Sequence, residues 1–533
     1  MRKSKKWILV ALVLLVAFSF RLWVARHLAN DNPGDGKLYA LMARNLLEQH
    51  VYSHEEEPPY NPSLIRLPGY PLFLAGLYSV FGHNNNTAVR ITQALIDTAT
   101  CVLVALLAFI WTPDERRKLF AAAAALLLAA ICPFTTIYVA TILTETWASF
   151  FAVTLCLLAT LAFRAQSRGK KLWFWAATGF IGGVGVFFRP DSGLFVFAVG
   201  LALVFTLFSR KGAADSWLSR LRTVLIHGVV LSIAFGLVLV PWTMRNWRVF
   251  HLFQPLAPAH AEMPGEFVPR GYLTWLRTWI DDGRYIDPVL WSLGDKTISL
   301  NAMPESAFDS ADEKARVGQL LEQYNHPPST DETSASEAAA ESPEPSPSPD
   351  ESAAQEPEEA EDESDEEEVE EPAGPEPPEM TPTIDAAFGQ IARERIARHP
   401  LRYYLWLPIK RGWSLWVNPH SDYYPFTGEL FPLSDLDYNV HQHIWLPLFA
   451  LMVLVYTVLG VRGAIVLART REGLARRWLL LVSLMIFIRL VFFSSLENPE
   501  PRYVVEFFPF LAALGGIGVS SWRRIHSHLV ETR

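Results

Sequence analysis

Long apolar runs alternate along the chain with short polar connections. Runs long enough to cross about 30 Å of hydrocarbon as helices lie near residues 7–25, 87–111, 119–139, 142–163, 172–189, 192–209, 223–243, 444–468, 478–496 and 503–521. This pattern predicts an all-α polytopic membrane protein with about ten transmembrane helices. Lys and Arg gather at the N-terminus, at Arg116-Arg117-Lys118, in 164–171, 210–222 and 469–477, and at Arg523-Arg524. These clusters occupy every second connection, so the positive-inside rule places them, with both termini, in the cytoplasm of a multi-pass plasma (inner) membrane protein. The first run follows a basic N-terminus but continues to Val24 without a small-residue cleavage pattern, so it reads as a first helix rather than a removed signal.

Three segments then face outward: 26–86, the turn Arg189-Pro190-Asp191, and 245–443. In the first, 38–47 has helical spacing and 68–81 is an apolar stretch too short to span, and both read as helices lying along the interface. In the third, residues 329–380 carry 21 Asp or Glu, no Lys or Arg, and almost no large apolar residue. Such a stretch cannot bury a core and is expected to be disordered, and its deletion is expected to cost neither fold nor chemistry. Its flanks, 271–287 and 384–416, hold aromatic and helical patterns suited to capping an outer cavity. The expected organisation is an N-terminal membrane core over 1–248, an outer region over 249–443, and C-terminal membrane helices over 444–533.

Composition sharpens this picture. Half of the 533 residues are hydrophobic, 19% are charged and 18 are Trp, which excludes an ordinary soluble enzyme. The net charge of −9 conceals the acidic insert, for without it 46 basic residues face 34 acidic ones. A basic membrane body suits an anionic partner such as a lipid phosphate, and nothing in the chain addresses nucleic acid. Cys101, Cys132 and Cys156 all lie in apolar runs, where they act as small hydrophobes. No phosphate-binding Gly loop, zinc-ligand spacing or nucleophile elbow is present. His420, His441 and His443 read as polar residues at a loop-to-helix junction before they read as metal ligands.

The first outer loop reads Asn30-Asp31-Asn32-Pro33-Gly34-Asp35-Gly36-Lys37-Leu38-Tyr39 and, further on, Arg66-Leu67-Pro68-Gly69-Tyr70-Pro71. This loop resembles that of integral-membrane glycosyltransferases using polyprenyl-phosphate sugars: protein O-mannosyltransferases, lipid A aminoarabinose transferases and lipopolysaccharide-core glycosyltransferases. The resemblance extends to Leu143-Thr144-Glu145, Arg189-Pro190, Pro241-Trp242 with Arg245-Asn246, and Arg502-Tyr503 with Pro509. One departure is Gly36, which stands where relatives often carry a second acidic residue.

The resemblance implies a GT-C-like fold and transfer of a sugar, with mannose as the first guess, from a polyprenyl phosphate to a hydroxyl on the outer face. The acceptor is left open among a protein, lipid A and a polysaccharide. An attacking hydroxyl must lose its proton, and Asp35 is the candidate base; read alone, an Asp after Pro-Gly caps the helix that follows. Glu145 is the second candidate acid, orienting the acceptor or helping to hold a divalent cation that the sequence does not require. Its bland reading is an interfacial Glu reaching water. The departing lipid phosphate calls for cations: Arg502 with Tyr503 first, then Arg66, Arg189 and Arg245, each of which alone also reads as a headgroup anchor. The competing function is a transporter or flippase for a lipid-linked glycan. That reading calls for inverted repeats and polar groups at mid-membrane, whereas the ionisable residues read as clustered at one face.

Overall fold

The computed structural model describes residues 2–30, 34–208, 216–327, 377–431, 433, 436 and 440–531. Of the acidic run 329–380 expected to be disordered, 329–376 lies outside the described residues, whereas Met380 is buried in an apolar cluster with Ile384 and Phe388. The described residues are helical apart from turns and one isolated bridge, Asn30 to Thr141. They form two compact units, Met1–Val268 with Pro408–Arg533, and Pro269–Leu407.

The larger unit holds α1 (Arg2–His27), α2 (Asp35–Glu48), α3 (Gly69–Phe81), α4 (Asn86–Trp111), α5 (Lys118–Ala130), α6 (Pro133–Thr136), α7 (Glu145–Arg164), α8 (Arg168–Phe188), α9 (Gly193–Phe205) and α10 (Trp217–Phe250). The smaller unit holds α11 (Arg270–Arg277), α12 (Ala311–Asn325) and α13 (Pro382–Arg398). The remaining helices are α14 (Leu407–Val417), α15 (Val440–Arg469), α16 (Gly473–Ser494) and α17 (Phe507–Glu531). Several starts are capped as the sequence asks: Asn85, Ser167 and Ser216 each accept a backbone N–H from three residues on, ahead of α4, α8 and α10. The segments 38–47 and 68–81, expected to be helical, are present as α2 and α3.

Among the described residues, eight helices are long and apolar enough to cross a membrane. The other two expected spans differ from simple helices. The third is broken into Lys118–Ala130 and Pro133–Val139, bent by 50°. Pro133 lacks the N–H that would continue the ladder, and side chains from two other helices and one turn satisfy carbonyls near the break. Arg21 donates to Ala129 O at 3.2 Å and Ala130 O at 3.0 Å, Tyr456 to Leu128 O at 2.6 Å, and Tyr424 to Pro133 O at 3.1 Å. Arg21 is itself paired with Asp97 at 2.7 Å, and both are buried. This pair lies well inside the first and second spans, so the ionisable residues do not all cluster at one face. In place of the tenth stands a shorter apolar helix, Phe507–Trp522, because Pro501–Val504 forms a tight 3-10 turn instead.

The seventh helix also departs from expectation, since it passes through Pro241 and ends at Phe250 rather than near residue 243. A proline is tolerated in a membrane helix where its surroundings accept the freed carbonyl. Trp242, Arg245 and Asn246 are therefore helical residues, and the Asn246 amide donates to Gln254 O at 2.8 Å.

Without water inside the bilayer, packing between spans relies on close backbone approach. A Cβ at Gly463 of α15 would stand 1.9 Å from Leu514 O of α17, whereas one at Gly200 would meet no atom within 4 Å. Gly463→Ala is expected to cost about 1–3 kcal/mol and to lower the melting temperature in detergent. Gly200→Ala should leave it unchanged; equal melting of the two variants would show that α15 and α17 approach each other less closely than this.

The smaller unit has its own core, built from Tyr272, Trp275, Trp279, Tyr324 and Phe388. Buried Arg395 pairs with Glu313 and, at 3.3 Å, with Asp309; Arg398 joins both carboxylates and Arg402 joins Asp309.

Candidate active site

Asp35 is the first residue of α2, and Gly34, not Asp35, occupies the cap position. Its carboxylate is consequently available for long-range pairing. Oδ1 meets Arg66 Nη2 at 3.0 Å and Oδ2 meets Arg502 Nη1 at 3.3 Å, a contact between residues 467 apart in sequence. Burial by itself would raise this carboxyl's pKa, but Arg502 and Arg66 outweigh it and hold the group below the usual carboxylate range. Tyr39, one turn along α2, packs edge-on to Tyr70 with centroids 5.1 Å apart, and burial pushes its phenol up to about 12.

Arg502 is oriented by the tight turn that carries it. Glu500 Oε2 lies 2.5 Å from its Nε, while Glu500 Oε1 accepts the Tyr503 hydroxyl at 2.7 Å. Asn498 donates to that same hydroxyl at 3.1 Å. Although burial disfavours a charged Arg502, Glu500 together with Tyr503, Tyr423 and Glu145 more than offsets it and keeps the guanidinium protonated. Asp422 also senses this turn: burial, with Glu500 adding to it and Arg502 opposing, pushes its carboxyl up to about 6.

A second ion group joins the first through the Tyr503 ring, which has the Arg502 and Arg189 guanidinium carbons both 5.4 Å from its centroid. Arg189 reaches Glu145 Oε1 at 2.6 Å and Asp191 Oδ2 at 3.0 Å. Fully buried Arg489, from the C-terminal part of α16, bonds Asp191 at 3.0 Å, Glu506 at 2.9 Å and the Tyr503 carbonyl at 2.7 Å. Glu145 Oε2, Ser192 Oγ and Glu506 Oε2 are buried without a hydrogen-bond partner.

Of the residues singled out from sequence, Asp35, Arg66, Glu145, Arg189, Arg502 and Tyr503 come together here. Arg245 does not join their ion pairs. It donates to Ser63 O at 2.7 Å, and its guanidinium carbon lies 4.9 Å from the Trp242 ring centroid, 5.1 Å from Phe250 and 5.7 Å from Tyr52. His420 is buried against Phe134 and Phe508, and burial lowers its pKa to about 4.

Sequence reading missed Arg489 and Glu506 and treated Asp191 and Glu500 only as flanking residues. A lone Arg in the apolar run 478–496 was the available signal, because a charge at that depth needs a partner. With these residues added, four guanidinium groups face five carboxyls: Asp35, Glu145, Asp191, Glu500 and Glu506. Each of the four cations is paired with at least one of these carboxyls. Among the described residues no three His, Cys, Asp or Glu side chains converge as a metal-binding group.

Residues 61–242 match the family described as dolichyl-phosphate-mannose-protein mannosyltransferase. No curated protein matches the whole-chain search. Among solved structures, the chain is similar to an oligosaccharyltransferase from Archaeoglobus fulgidus tethered to an acceptor peptide, with 11% identity, 97% of this chain and 50% of that one covered, and a TM-score of 0.45. It is also similar to ArnT from Cupriavidus metallidurans bound to undecaprenyl phosphate, with 14% identity, coverage of 97% and 78%, and a TM-score of 0.35. The chain spans about half the length of the oligosaccharyltransferase. The family match covers Arg66, Glu145 and Arg189 but neither Asp35 nor Arg502. Over residues 61–242, then, this chain is similar to the dolichyl-phosphate-mannose-protein mannosyltransferases, in keeping with its resemblance to integral-membrane glycosyltransferases that use polyprenyl-phosphate sugars.

Proposed function

We propose that the protein transfers a sugar, mannose first among the candidates, from a polyprenyl phosphate to an acceptor hydroxyl at the outer face of the membrane. The observation that carries this reading is the pairing of Asp35 with Arg502 across the length of the chain, beside Arg66. A base and a phosphate ligand are thereby held within one hydrogen bond of each other, as a direct displacement requires.

The donor phosphate competes with Asp35 for Arg502 and Arg66. As phosphate takes over these guanidinium groups, Asp35 loses the charges that depress its basicity and becomes a better proton acceptor. The acceptor oxygen bonds to the anomeric carbon as the bond from that carbon to the phosphate oxygen breaks. The hydroxyl proton passes to Asp35, and the electron pair leaves with polyprenyl phosphate, whose charge meets Arg502. One displacement inverts the anomeric configuration. Glu145, anchored by Arg189, has its second oxygen available to orient the acceptor or a sugar hydroxyl. Glu145 is also the first choice for a carboxylate ligand if a divalent cation takes part.

The test uses purified protein in lipid with radiolabelled polyprenyl-phosphate mannose and an envelope extract as acceptor, following release of polyprenyl phosphate. Release that requires Asp35 supports the reading. No release with mannose or with a panel of other polyprenyl-phosphate sugars overturns it in favour of transport of a lipid-linked glycan. Arg245→Ala is expected to leave the donor KM within about twofold of the parent, whereas Arg502→Ala, which removes a charge-assisted contact, raises it at least about tenfold. A comparable rise in both would place Arg245 at the donor after all.

A further inference from the structure

A groove of about 740 Å³ runs between α9 and α10, lined by Phe197, Gly200, Val204, Leu225, Gly228 and Ile233 among other residues, with Ser232 its one polar side chain. Phe197, Leu225, Val229 and Ile233 are each more than half exposed, so the groove opens sideways from the helix pair. Its floor is cut by two glycines: a Cβ at Gly200 or at Gly228 would meet nothing within 4 Å. Along α10 the lining runs from Val224 to Ile233, which is about 14 Å of helix and roughly half of a 30 Å hydrocarbon layer. That depth corresponds to the acyl region of one leaflet.

The nearer end of the groove is basic. Arg220, one turn before Val224, donates from Nη1 to Leu207 O at 3.0 Å and so spans from α10 to the end of the α9 segment. Arg222 beside it is exposed. The connection between α7 and α8 adds Arg164, Arg168, Lys170 and Lys171 with no acid among 164–171, and Lys171 acts electrostatically on His227 of α10. An apolar slot one leaflet deep, ending at a cationic rim, matches a phospholipid with an anionic headgroup.

We propose that this groove is a binding site for an anionic phospholipid of the leaflet facing the basic connections, with an acyl chain over Gly200 and Gly228 and the phosphate at Arg220 and Arg222. The site is separate from the ion groups around Asp35 and stands whether or not the glycosyltransferase reading does. It gives the α9–α10 pair a lipid dependence with no part in the proposed transfer.

Native mass spectrometry of the full chain in detergent, with phosphatidylglycerol and phosphatidylcholine supplied equally, tests it. The parent protein should retain phosphatidylglycerol over phosphatidylcholine by about tenfold, as two basic residues near a headgroup supply. Gly200→Leu with Gly228→Leu fills the groove from its floor and should abolish retention of either lipid. Arg220→Gln with Arg222→Gln leaves the groove intact and should retain lipid with the headgroup preference lost. Melting curves verify that each variant is folded, and the charge pair keeps the test decisive if the leucines disturb packing. Equal retention of both lipids by the parent overturns the proposal, as does unchanged retention in the filled variant. Displacement of phosphatidylglycerol by an equal concentration of polyprenyl phosphate also overturns it, assigning the groove to the donor's tail.

Discussion

Asp35→Asn is expected to lower turnover by about 10²–10⁴-fold, the usual contribution of a positioned base, while expression and melting temperature change little. The carboxylate is about one-third exposed and paired with two arginines, one on each oxygen; an amide of the same shape keeps its oxygen for one of them and presents an NH2, which cannot accept, to the other. What is lost is proton affinity, and with it the step in which the acceptor hydroxyl is deprotonated. Turnover within about threefold of the parent would remove Asp35 from the chemistry and leave it an organiser of Arg66 and Arg502.

The pH profile supplies an independent reading. Because the two guanidinium groups hold Asp35 below its ordinary value, it stays ionised down to pH values where a free Asp, with a pKa of about 3.9, would already be half protonated. The acid limb of kcat/KM, which reports the free enzyme, should therefore fall below that value. Arg66→Gln removes one of the two opposing charges, leaves burial to act in the other direction, and should move the limb to higher pH. A limb that does not move would mean that another group titrates there.

The largest stability effect is expected at Arg489. Its side chain is wholly buried and neutralises Asp191 and Glu506 while holding the Tyr503 carbonyl. Removing one partner of a buried ion group strands the others in low dielectric, at a cost of about 3–5 kcal/mol. Arg489→Met should accordingly lose most of its folded yield. Adding Glu506→Gln removes one stranded charge and should restore part of the loss, since Asp191 retains Arg189. The sign of this rescue is the diagnostic result: a double variant worse than Arg489→Met would mean that the two side chains are not coupled as the geometry has them. Arg489 is also a positioning residue, because it fixes the carbonyl next to Arg502. A well-folded rescue variant should still show a raised donor KM relative to the parent.

The sequence by itself determined the elements that depend on local physics. Apolar runs of bilayer length must become helices, because a backbone in hydrocarbon has no water to bond, and this is why the eight long helices are legible from the residue pattern alone. Gly34-Asp35 and Pro68-Gly69 punctuate the outer loop strongly enough to announce α2 and α3. The motif residues Asp35, Arg66, Glu145, Arg189 and Arg502 could be nominated one by one from the motifs that carry the resemblance to polyprenyl-phosphate glycosyltransferases.

What only the tertiary structure decided is which of these charges meet. Pairing of Asp35 with Arg502 depends on the packing of helices far apart in the chain, which no local pattern encodes. The same holds for Arg245, whose position at the end of an apolar run looked equivalent to that of Arg189. Continuation of α10 through Pro241 turns Arg245 onto Trp242 and Phe250 instead. Arg21 and Arg489 were visible as isolated charges, but a buried charge announces only that it needs a partner. Asp97 for one, and Asp191 with Glu506 for the other, are assigned by the fold, because ion pairing acts over a few ångströms of space and takes no account of separation in sequence.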